Sequence, residues 1–329
     1  MKIGINGFGR IGRLVFRAAR ENGFEIVGIN DITSAQTLAH LLKYDSIHRQ
    51  FGGKVSSDDQ SIIVDGTKIP VSAELDPAKL PWEKLGAELV LECTGKFTNR
   101  ADAAKHLTAG AKKVLISAPA KEHDGTFIPG INSDQYDNSK HDVISIGSCT
   151  TNCLAPLVKV ILENFGIAKG FMTTIHAYTA DQKLQDAPHK DLRRARAASI
   201  SMVPTTTGAA KAISQIFPEV KGKLDGTAVR VPTICGSLVD FAVIVEKETT
   251  TEQVNAAFKK AAESSSLSGA LEYCEDPIVS VDIIGNRHGS IFDSLMTWAQ
   301  GDFVKVYSWY DNEWGFTSRM IDMIKIMSK

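Results

Sequence analysis

Cysteine is scarce in this chain, net charge is nearly absent, and no long apolar run occurs. Five cysteines in 329 residues, Cys93, Cys149, Cys153, Cys235 and Cys274, form neither a dense nor an even disulfide framework. There is no C-x-x-C pair and no His/Cys cluster with zinc spacing, so no metal centre is expected. Most of these cysteines are left to serve as small buried hydrophobes, and one remains to work as a thiol. Thirty-seven Lys+Arg against 38 Asp+Glu give a formal charge of -1, which excludes a global field for holding nucleic acid or an anionic membrane. Any anion must be bound locally. No apolar stretch reaches the roughly 18 residues of a membrane span. The N-terminus enters a structural motif at once, with no room for a signal peptide, so a cytoplasmic location is expected.

What is present is the composition of a globular protein, 43% apolar and 23% charged, at a length that predicts two domains. Lys2 to Asn6 reads as a short strand, followed at once by Gly7-Phe8-Gly9-Arg10-Ile11-Gly12 and a helical pattern closed by Gly23. A second strand, Glu25 to Ile29, ends at Asn30-Asp31, placing an acid about 20 residues beyond the glycines. This is a dinucleotide-binding fingerprint in its required context. Gly7 permits the tight turn, Gly9 lets backbone approach a pyrophosphate, and Gly12 lets helix and strand pack closely. Free N–H groups and the helix dipole then hold phosphate. Asp31 suits a ribose 2′-hydroxyl and repels a 2′-phosphate, which favours NAD over NADP.

Strands and helices continue to alternate. A helix is expected over Ser34 to Tyr44, a hairpin over Ile62 to Val71 turning at Asp65-Gly66, and a strand over Leu89 to Cys93. Another helix is expected over Asn99 to Ala109, then strands at Lys113 to Ser117 and Val143 to Ile146. Such alternation implies a mostly parallel sheet with ligands at the strands' carboxyl ends, where Asp31, Thr94-Gly95 and Ser117 stand.

The second half supplies a thiol and a base. Ser148-Cys149-Thr150 leads into a helical pattern from Leu154 to Phe165, placing Cys149 near a helix N-terminus, where dipole and free amides lower a thiol's pKa. Cys153, one turn further among Leu154, Leu157 and Val158, fits a buried structural role. Of eight histidines, His40, His48, His106, His123 and His141 lie in the nucleotide half. His176 differs, because it ends the strand-like Phe171 to Ile175 and opens a long polar loop. A Cys-His pair would supply a nucleophile and a general base, although spacing alone does not establish that the two meet. Ser148, Thr150, Thr179, Thr205 to Gly208, Arg194 and Arg230 offer hydroxyls, helix-start amides and guanidiniums suited to phosphate. The other charges of Lys190 to Arg196 read as a solvated loop or subunit contact.

Over essentially its whole length the chain resembles phosphorylating glyceraldehyde-3-phosphate dehydrogenases. The resemblance is carried by NGFGRIGR (Asn6 to Arg13), SCTTNCLAP (Ser148 to Pro156), HAYT (His176 to Thr179), PHKDLRRARAA (Pro188 to Ala198), PTTTGAAKA (Pro204 to Ala212) and WYDNEWG (Trp309 to Gly315). It implies a Rossmann-type NAD-binding domain, 1–148 completed by a C-terminal helix within 313–329, and an α+β catalytic domain, 149–312, with an antiparallel sheet. It implies a homotetramer in which 177–202 forms a loop at subunit contacts. Cys149 is then the nucleophile and His176 the base. Thr179 and Arg230 correspond to the substrate-phosphate site, and Ser148, Thr150, Arg194, Thr207 and Gly208 to the inorganic-phosphate site. Cofactor contacts correspond to Gly7, Gly9, Arg10, Ile11, Gly12, Asp31, Ser117 and Asn312, the last facing the nicotinamide carboxamide.

Four positions depart from the family's pattern. Phe316 stands where a Tyr is usual, Ala187 where NAD-specific members carry Leu, Leu75 where a basic residue is common, and Gly147 where Ala is usual. Ala187 leaves room near the adenine ribose and weakens steric exclusion of NADP. Three other readings compete with the phosphorylating dehydrogenase. A related erythrose-4-phosphate dehydrogenase is expected to alter Thr207-Gly208, a Cys-His hydrolase has no use for a nucleotide fold, and an idle NAD-binding interaction protein need not retain Cys149, His176 and Arg230.

Overall fold

The computed structural model describes every residue from Met1 to Lys329. The chain divides into two compact units, one of Met1–Phe127, Gln135–Gly147 and Met320–Lys329, the other of Ile128–Asp134 and Ser148–Arg319. No helix is long and apolar enough to cross a membrane.

The first unit is built on a nine-stranded sheet. Its strands are β1 (Lys2–Asn6), β2 (Glu25–Asn30), β3 (Val55–Asp58), β4 (Ser61–Val64), β5 (Thr67–Ser72), β6 (Leu89–Glu92), β7 (Lys113–Ile116), β8 (Gly125–Thr126) and β9 (Val143–Ser145). They lie in the order β3-β4-β5-β2-β1-β6-β7-β9-β8. All neighbours run parallel except β3 with β4 and β4 with β5. The central strands are buried on both faces, Ile3, Ile5 and Leu89 to Leu91 having no exposed surface, as their unbroken apolar runs require. Helix α1 (Arg10–Glu21) crosses from β1 to β2, and α2 (Ala35–Lys43) follows β2 with Ser34 as its cap. Because β2 and β6 flank β1, the strand order reverses beside β1, and a crevice opens past the carboxyl ends of these strands. The expected hairpin turns at Asp65 (φ 53°) and Gly66 (φ 82°).

The remaining helices of this unit are short. Trp82–Leu85 forms α3, and the single helix expected over 99–109 is instead two, α4 (Arg100–Ala103) and α5 (Lys105–Thr108). Asn99 does cap, accepting from the Asp102 N–H, but the chain tightens at Ala104, whose carbonyl takes the Leu107 N–H in an i→i+3 bond of 2.9 Å.

The second unit pairs helices with a six-stranded sheet. Helix α6 (Cys149–Phe165) is followed by β10 (Lys169–Ala177), β11 (Val203–Thr206), α7 (Ala209–Ile216), β12 (Leu224–Val231), β13 (Ser237–Thr250), α8 (Thr251–Ala262), β14 (Leu271–Cys274) and β15 (Ser290–Tyr310). The strand order is β11-β12-β10-β13-β15-β14. This sheet is mostly antiparallel but not wholly so, since β10 runs parallel to β12 and β14 to β15. The cause is the connection: between β10 and β12 the chain passes through a long loop, β11 and α7, which returns it to the starting end of β10. The core lies under α6, where Leu154, Leu157, Val158 and Ile161 pack with Phe241, Val243, Val304 and Val306. Each such side chain contributes about 1.5–3 kcal/mol on burial. Helix α9 (Trp314–Met327) ends the fold, its last turns, from Met320 on, belonging to the first unit.

Candidate active site

Cys149 opens α6 because Ser148 caps it. The Ser148 Oγ accepts the Thr151 N–H at 3.1 Å, and the Thr151 Oγ1 accepts the Ser148 N–H at 3.3 Å, a reciprocal capping box. Gly147, at φ 70°, makes the turn into the cap in a left-handed conformation that glycine adopts without strain. His176 comes from the end of β10, and its Nε2 lies 3.4 Å from the Cys149 Sγ. Spacing could not establish this meeting; the fold does.

The Nε2 of His176 is the nitrogen that faces the thiol. Nδ1 lies 2.6 Å from the Ala177 carbonyl oxygen, which can only accept, and 2.9 Å from Arg230 Nη1, which can only donate; the shorter contact places the proton on Nδ1, leaving the Nε2 lone pair toward sulfur and the Arg230 hydrogen to the carbonyl. Register pairs His176 with Arg230 across β10 and β12, and the Arg230 Nη1 donates to the same carbonyl at 3.0 Å. Tyr310 stands edge-on to the imidazole, ring centroids 5.8 Å apart. Its hydroxyl meets the Thr174 and Thr150 hydroxyls at 2.7 and 3.0 Å.

Burial dominates the electrostatics. Desolvation, aided by the Arg230 charge, lowers His176 to about 3. Burial raises the Cys149 thiol above its ordinary value, opposed by Arg230 and by hydrogen bonds from Thr150. The resting pair is therefore a neutral thiol and a neutral imidazole. This corrects the expectation of a thiol lowered by its helix position: the helix start is present, but desolvation outweighs it. Cys153 has no such partner, being fully buried on the Ser308 carbonyl at 3.6 Å and pushed up to about 12.

The residues expected to bind anions are only partly free to do so. Arg230 keeps a buried Nε with no partner. Gly208 leads into α7 with open space above its Cα, and the neighbouring Thr207 hydroxyl accepts the Ala209 N–H at 3.3 Å. Thr179 stands half-buried just past β10. Three others are engaged elsewhere. The Ser148 hydroxyl is spent on the cap and Thr150 is buried against Tyr310. Arg194 donates to Asp181 at 2.6 Å, to Thr205 at 2.9 Å and to the Thr206 carbonyl at 3.3 Å. Asp181, Tyr310 and Ser237 went unremarked in the sequence. Tyr310 lies inside the WYDNEWG motif, a signal that could have drawn attention to it.

In the first unit the glycine turn has the geometry its residues suggest. Gly7, at φ 90°, donates to the Asn30 carbonyl at 2.8 Å, and a methyl there would meet the Thr94 nitrogen at 2.7 Å. A methyl on Gly12 would collide with the Gly7 carbonyl oxygen. Over Gly9 nothing lies within 4 Å. That open space is a cradle a side chain would fill. The adjoining cavity of about 370 Å³, within the range of small-molecule sites, is lined by Gly7, Gly9, Asn30, Asp31, Thr94 and others. The Asp31 carboxylate accepts the Phe8 and Thr33 N–H groups at 2.8 and 3.0 Å, which fixes its orientation at the cavity wall. Arg10 and Ile11 form the first turn of α1, the Arg10 guanidinium lying on Asp45 at 2.5 Å. Ser117, past the end of β7, donates from its hydroxyl to the Glu92 carbonyl at 3.0 Å. Cys93, Lys96 and Phe97 also line the cavity and were missed, although the end of β6 was the place to look.

Under this cavity lies a closed polar network. Trp82 Nε1 donates to His106 Nδ1 at 3.0 Å, so the His106 proton sits on Nε2 and points to Glu92 at 3.1 Å. Glu92 further accepts from Asn6 at 2.6 Å, from the Thr94 N–H at 2.8 Å and from the Thr94 hydroxyl. Asn30 donates to Asn6 at 2.7 Å. The cavity liners Asn6, Asn30 and Thr94 are thereby anchored from below.

Comparison with known sequences agrees with both halves. The family description "Glyceraldehyde 3-phosphate dehydrogenase, NAD binding domain" matches residues 1–100, and "Glyceraldehyde 3-phosphate dehydrogenase, C-terminal domain" matches 148–312. The chain is 57% identical over 331 residues to glyceraldehyde-3-phosphate dehydrogenase 1 of Bacillus subtilis, covering 100% of this chain and 98% of that one. It is 57% identical to the enzyme of Geobacillus stearothermophilus, covering 98% and 97%, and 55% identical to that of Streptomyces coelicolor, again covering 98% and 97%.

Proposed function

The chain belongs to the glyceraldehyde-3-phosphate dehydrogenase family, and from that premise we infer that it oxidises D-glyceraldehyde 3-phosphate with NAD and inorganic phosphate to 1,3-bisphosphoglycerate, a step of glycolysis and gluconeogenesis. The observation that carries this reading is the 3.4 Å approach of the Cys149 thiol to the unprotonated nitrogen of His176 at a helix start.

Sulfur bonds to the aldehyde carbon as its proton passes through His176 Nε2 to the developing alkoxide, giving a thiohemiacetal. His176 then removes that hydroxyl proton, and the carbon becomes the carbonyl of a thioester. NAD, when bound, supplies the acceptor for the hydride that leaves this carbon. A phosphate oxygen next bonds to the thioester carbon and the C–S bond breaks. The leaving thiolate takes back the imidazolium proton, the proton of the attacking phosphate is released, and one proton is lost overall. With the Nδ1 proton toward the Ala177 carbonyl, Nε2 is the nitrogen that shuttles.

We assign the substrate phosphate to Thr179 and Arg230, supported by the unpartnered Arg230 Nε. The attacking phosphate is assigned to Ser148, Thr150, Arg194, Thr207 and Gly208. It would draw on main-chain N–H groups at the starts of α6 and α7, and it must compete with Asp181 for Arg194. NAD is held by Gly7, Gly9, Arg10, Ile11, Gly12, Asp31 and Ser117, with Asn312 on the carboxamide. The first unit is the NAD-binding domain and the second the catalytic domain. Asp31 sets a preference for NAD, and the small Ala187 leaves weak use of NADP. A cytoplasmic homotetramer fits the exposed Leu184, Leu192, Ile200 and Met202 of the long loop, apolar surface suited to a subunit contact.

The test is NADH formation, followed by its ultraviolet absorbance, from the purified protein with glyceraldehyde 3-phosphate and NAD, with and without phosphate. A signal independent of phosphate, or none, refutes the reading. Equal efficiency with NADP refutes the stated preference, and a monomer by light scattering refutes the assembly.

A further inference from the structure

One buried hydroxyl joins the strand that carries the base to the amide assigned to the cofactor. Ser237, 1% exposed, is the first residue of β13 and stands opposite Tyr310 in the β13–β15 pairing. Its Oγ accepts the Ala177 N–H at 3.1 Å and lies 3.0 Å from the Asn312 Oδ1. An amide oxygen only accepts, so the hydroxyl proton points to Asn312. The Gly236 N–H reaches the same oxygen at 3.1 Å. With two donors on Oδ1, the Asn312 amide plane is fixed and Nδ2 is left as the group that can donate to a ligand.

On its other side the hydroxyl grips the peptide N–H next to His176. The following carbonyl, that of Ala177, holds His176 Nδ1 and Arg230. Gly236 is held at φ 90°, where a side chain would collide with the Ser280 carbonyl oxygen, so the turn that aims its N–H at Asn312 tolerates little change. The direction of the chain, from Ala177 N–H to Oγ–H to Oδ1, polarises each bond in the same sense and makes Nδ2 a stronger donor.

We propose that Ser237 is a positioning residue that sets two things through one hydroxyl: the donor face of Asn312 toward the nicotinamide carboxamide, and the seat of the His176 imidazole beside Cys149. The cofactor half rests on the assignment of Asn312 given above. The thiol half does not.

Two measurements on the full chain separate these halves: NAD affinity by calorimetry, and the rate of Cys149 alkylation by iodoacetamide in protein free of cofactor. Ser237→Ala weakens NAD binding about tenfold, the effect of one lost buried hydrogen bond, and slows alkylation severalfold. Asn312→Ala weakens NAD binding and leaves alkylation unchanged. Ser237→Thr, which retains the hydroxyl, restores both values toward those of the unaltered chain. If Ser237→Ala does not fold, Ser237→Cys, whose thiol is a poor donor, carries the comparison and must move both values in the same direction. Unchanged alkylation in the folded variant overturns the thiol half. Unchanged NAD affinity in Ser237→Ala, or in Asn312→Ala, overturns the cofactor half. Phosphate-dependent NADH formation by the unaltered chain is measured alongside; if it fails, the family reaction falls and the alkylation comparison still decides the Ser237 link.

Discussion

The glycines of the nucleotide turn give the sharpest prediction, because two identical substitutions should fail in opposite ways. At Gly9 an added methyl meets nothing within 4 Å, and the backbone, at φ -71° and ψ -155°, suits alanine. Alanine there gains about 0.4–1 kcal/mol by restricting the unfolded chain, and loses about 0.5–1 kcal/mol because glycine is the better N-cap. Stability should be nearly unchanged. The methyl does, however, occupy the space through which a pyrophosphate approaches the backbone, and NAD affinity should fall by about tenfold or more, the 1.4 kcal/mol expected from one displaced contact. At Gly12 the helix would favour alanine by about 1 kcal/mol. Against that, the methyl falls closer to the Gly7 carbonyl oxygen than the 3.0 Å that Cβ atoms respect, and the obstacle is backbone, not a flexible side chain. Overpacking of this kind costs about 1–3 kcal/mol, so the clash wins and Gly12→Ala should melt lower. Thermal unfolding without cofactor, paired with calorimetric NAD titration, reads both. A Gly9→Ala protein that binds NAD normally, or a Gly12→Ala protein as stable as the parent, would refute the reasoning.

The other predictions follow from the buried groups. Cys149→Ser should reduce turnover to background while Cys153→Ser, a change at a thiol with no base beside it, keeps most of it; equal losses in the dehydrogenase assay would mean the nucleophile is misassigned. Glu92→Gln presents an amide N–H to a site where every neighbour donates. One mismatched buried group costs about 1–3 kcal/mol, so the melting temperature should drop, and an unchanged value would show that the network under the cavity is not as drawn. Asp45 is raised by its burial but lowered more by the His48 and Ile47 N–H groups and by Arg10, ending at about 2. A folded value below the ordinary carboxylate range stabilises fully above about pH 4 and is lost as pH falls toward 2. Asp45→Asn should therefore flatten the acid limb of the stability curve, and an acid limb identical to the parent's would count against this.

Much of this was legible in the sequence because local chemistry and tertiary context agreed. The strand, glycine turn and helix from Lys2 to Glu21, the helix start near Cys149 and the Asp65-Gly66 turn all follow from φ preferences and periodicity that nothing distant overrides. The break at Ala104 was not legible, since Ala, Lys and Leu fit an unbroken helix and the i→i+3 tightening has no residue signature. The direction of the thiol shift was misjudged for a physical reason: helix position can be read from neighbours in sequence, whereas desolvation depends on what covers the site, including Arg230 and Tyr310 from remote strands. Ser237 between Ala177 and Asn312 is likewise a meeting of segments far apart in the chain, visible only once β10, β13 and β15 are in register, whereas Asp181 meets Arg194 within one irregular loop that carries no periodic pattern.

The first unit is assembled from three separate stretches, the last being Met320–Lys329, whose Met320, Ile321, Met323 and Ile324 are buried. During synthesis, at about 5–20 residues per second, the Met1–Phe127 stretch therefore emerges well before the segment that completes its core. It must wait with apolar surface uncovered for most of the time the rest of the chain takes to appear. The second unit, nearly continuous in sequence, can close first. A nascent chain of this protein should thus depend on chaperones for its beginning more than for its middle, and truncation of the final ten residues should harm the folding of the part made first.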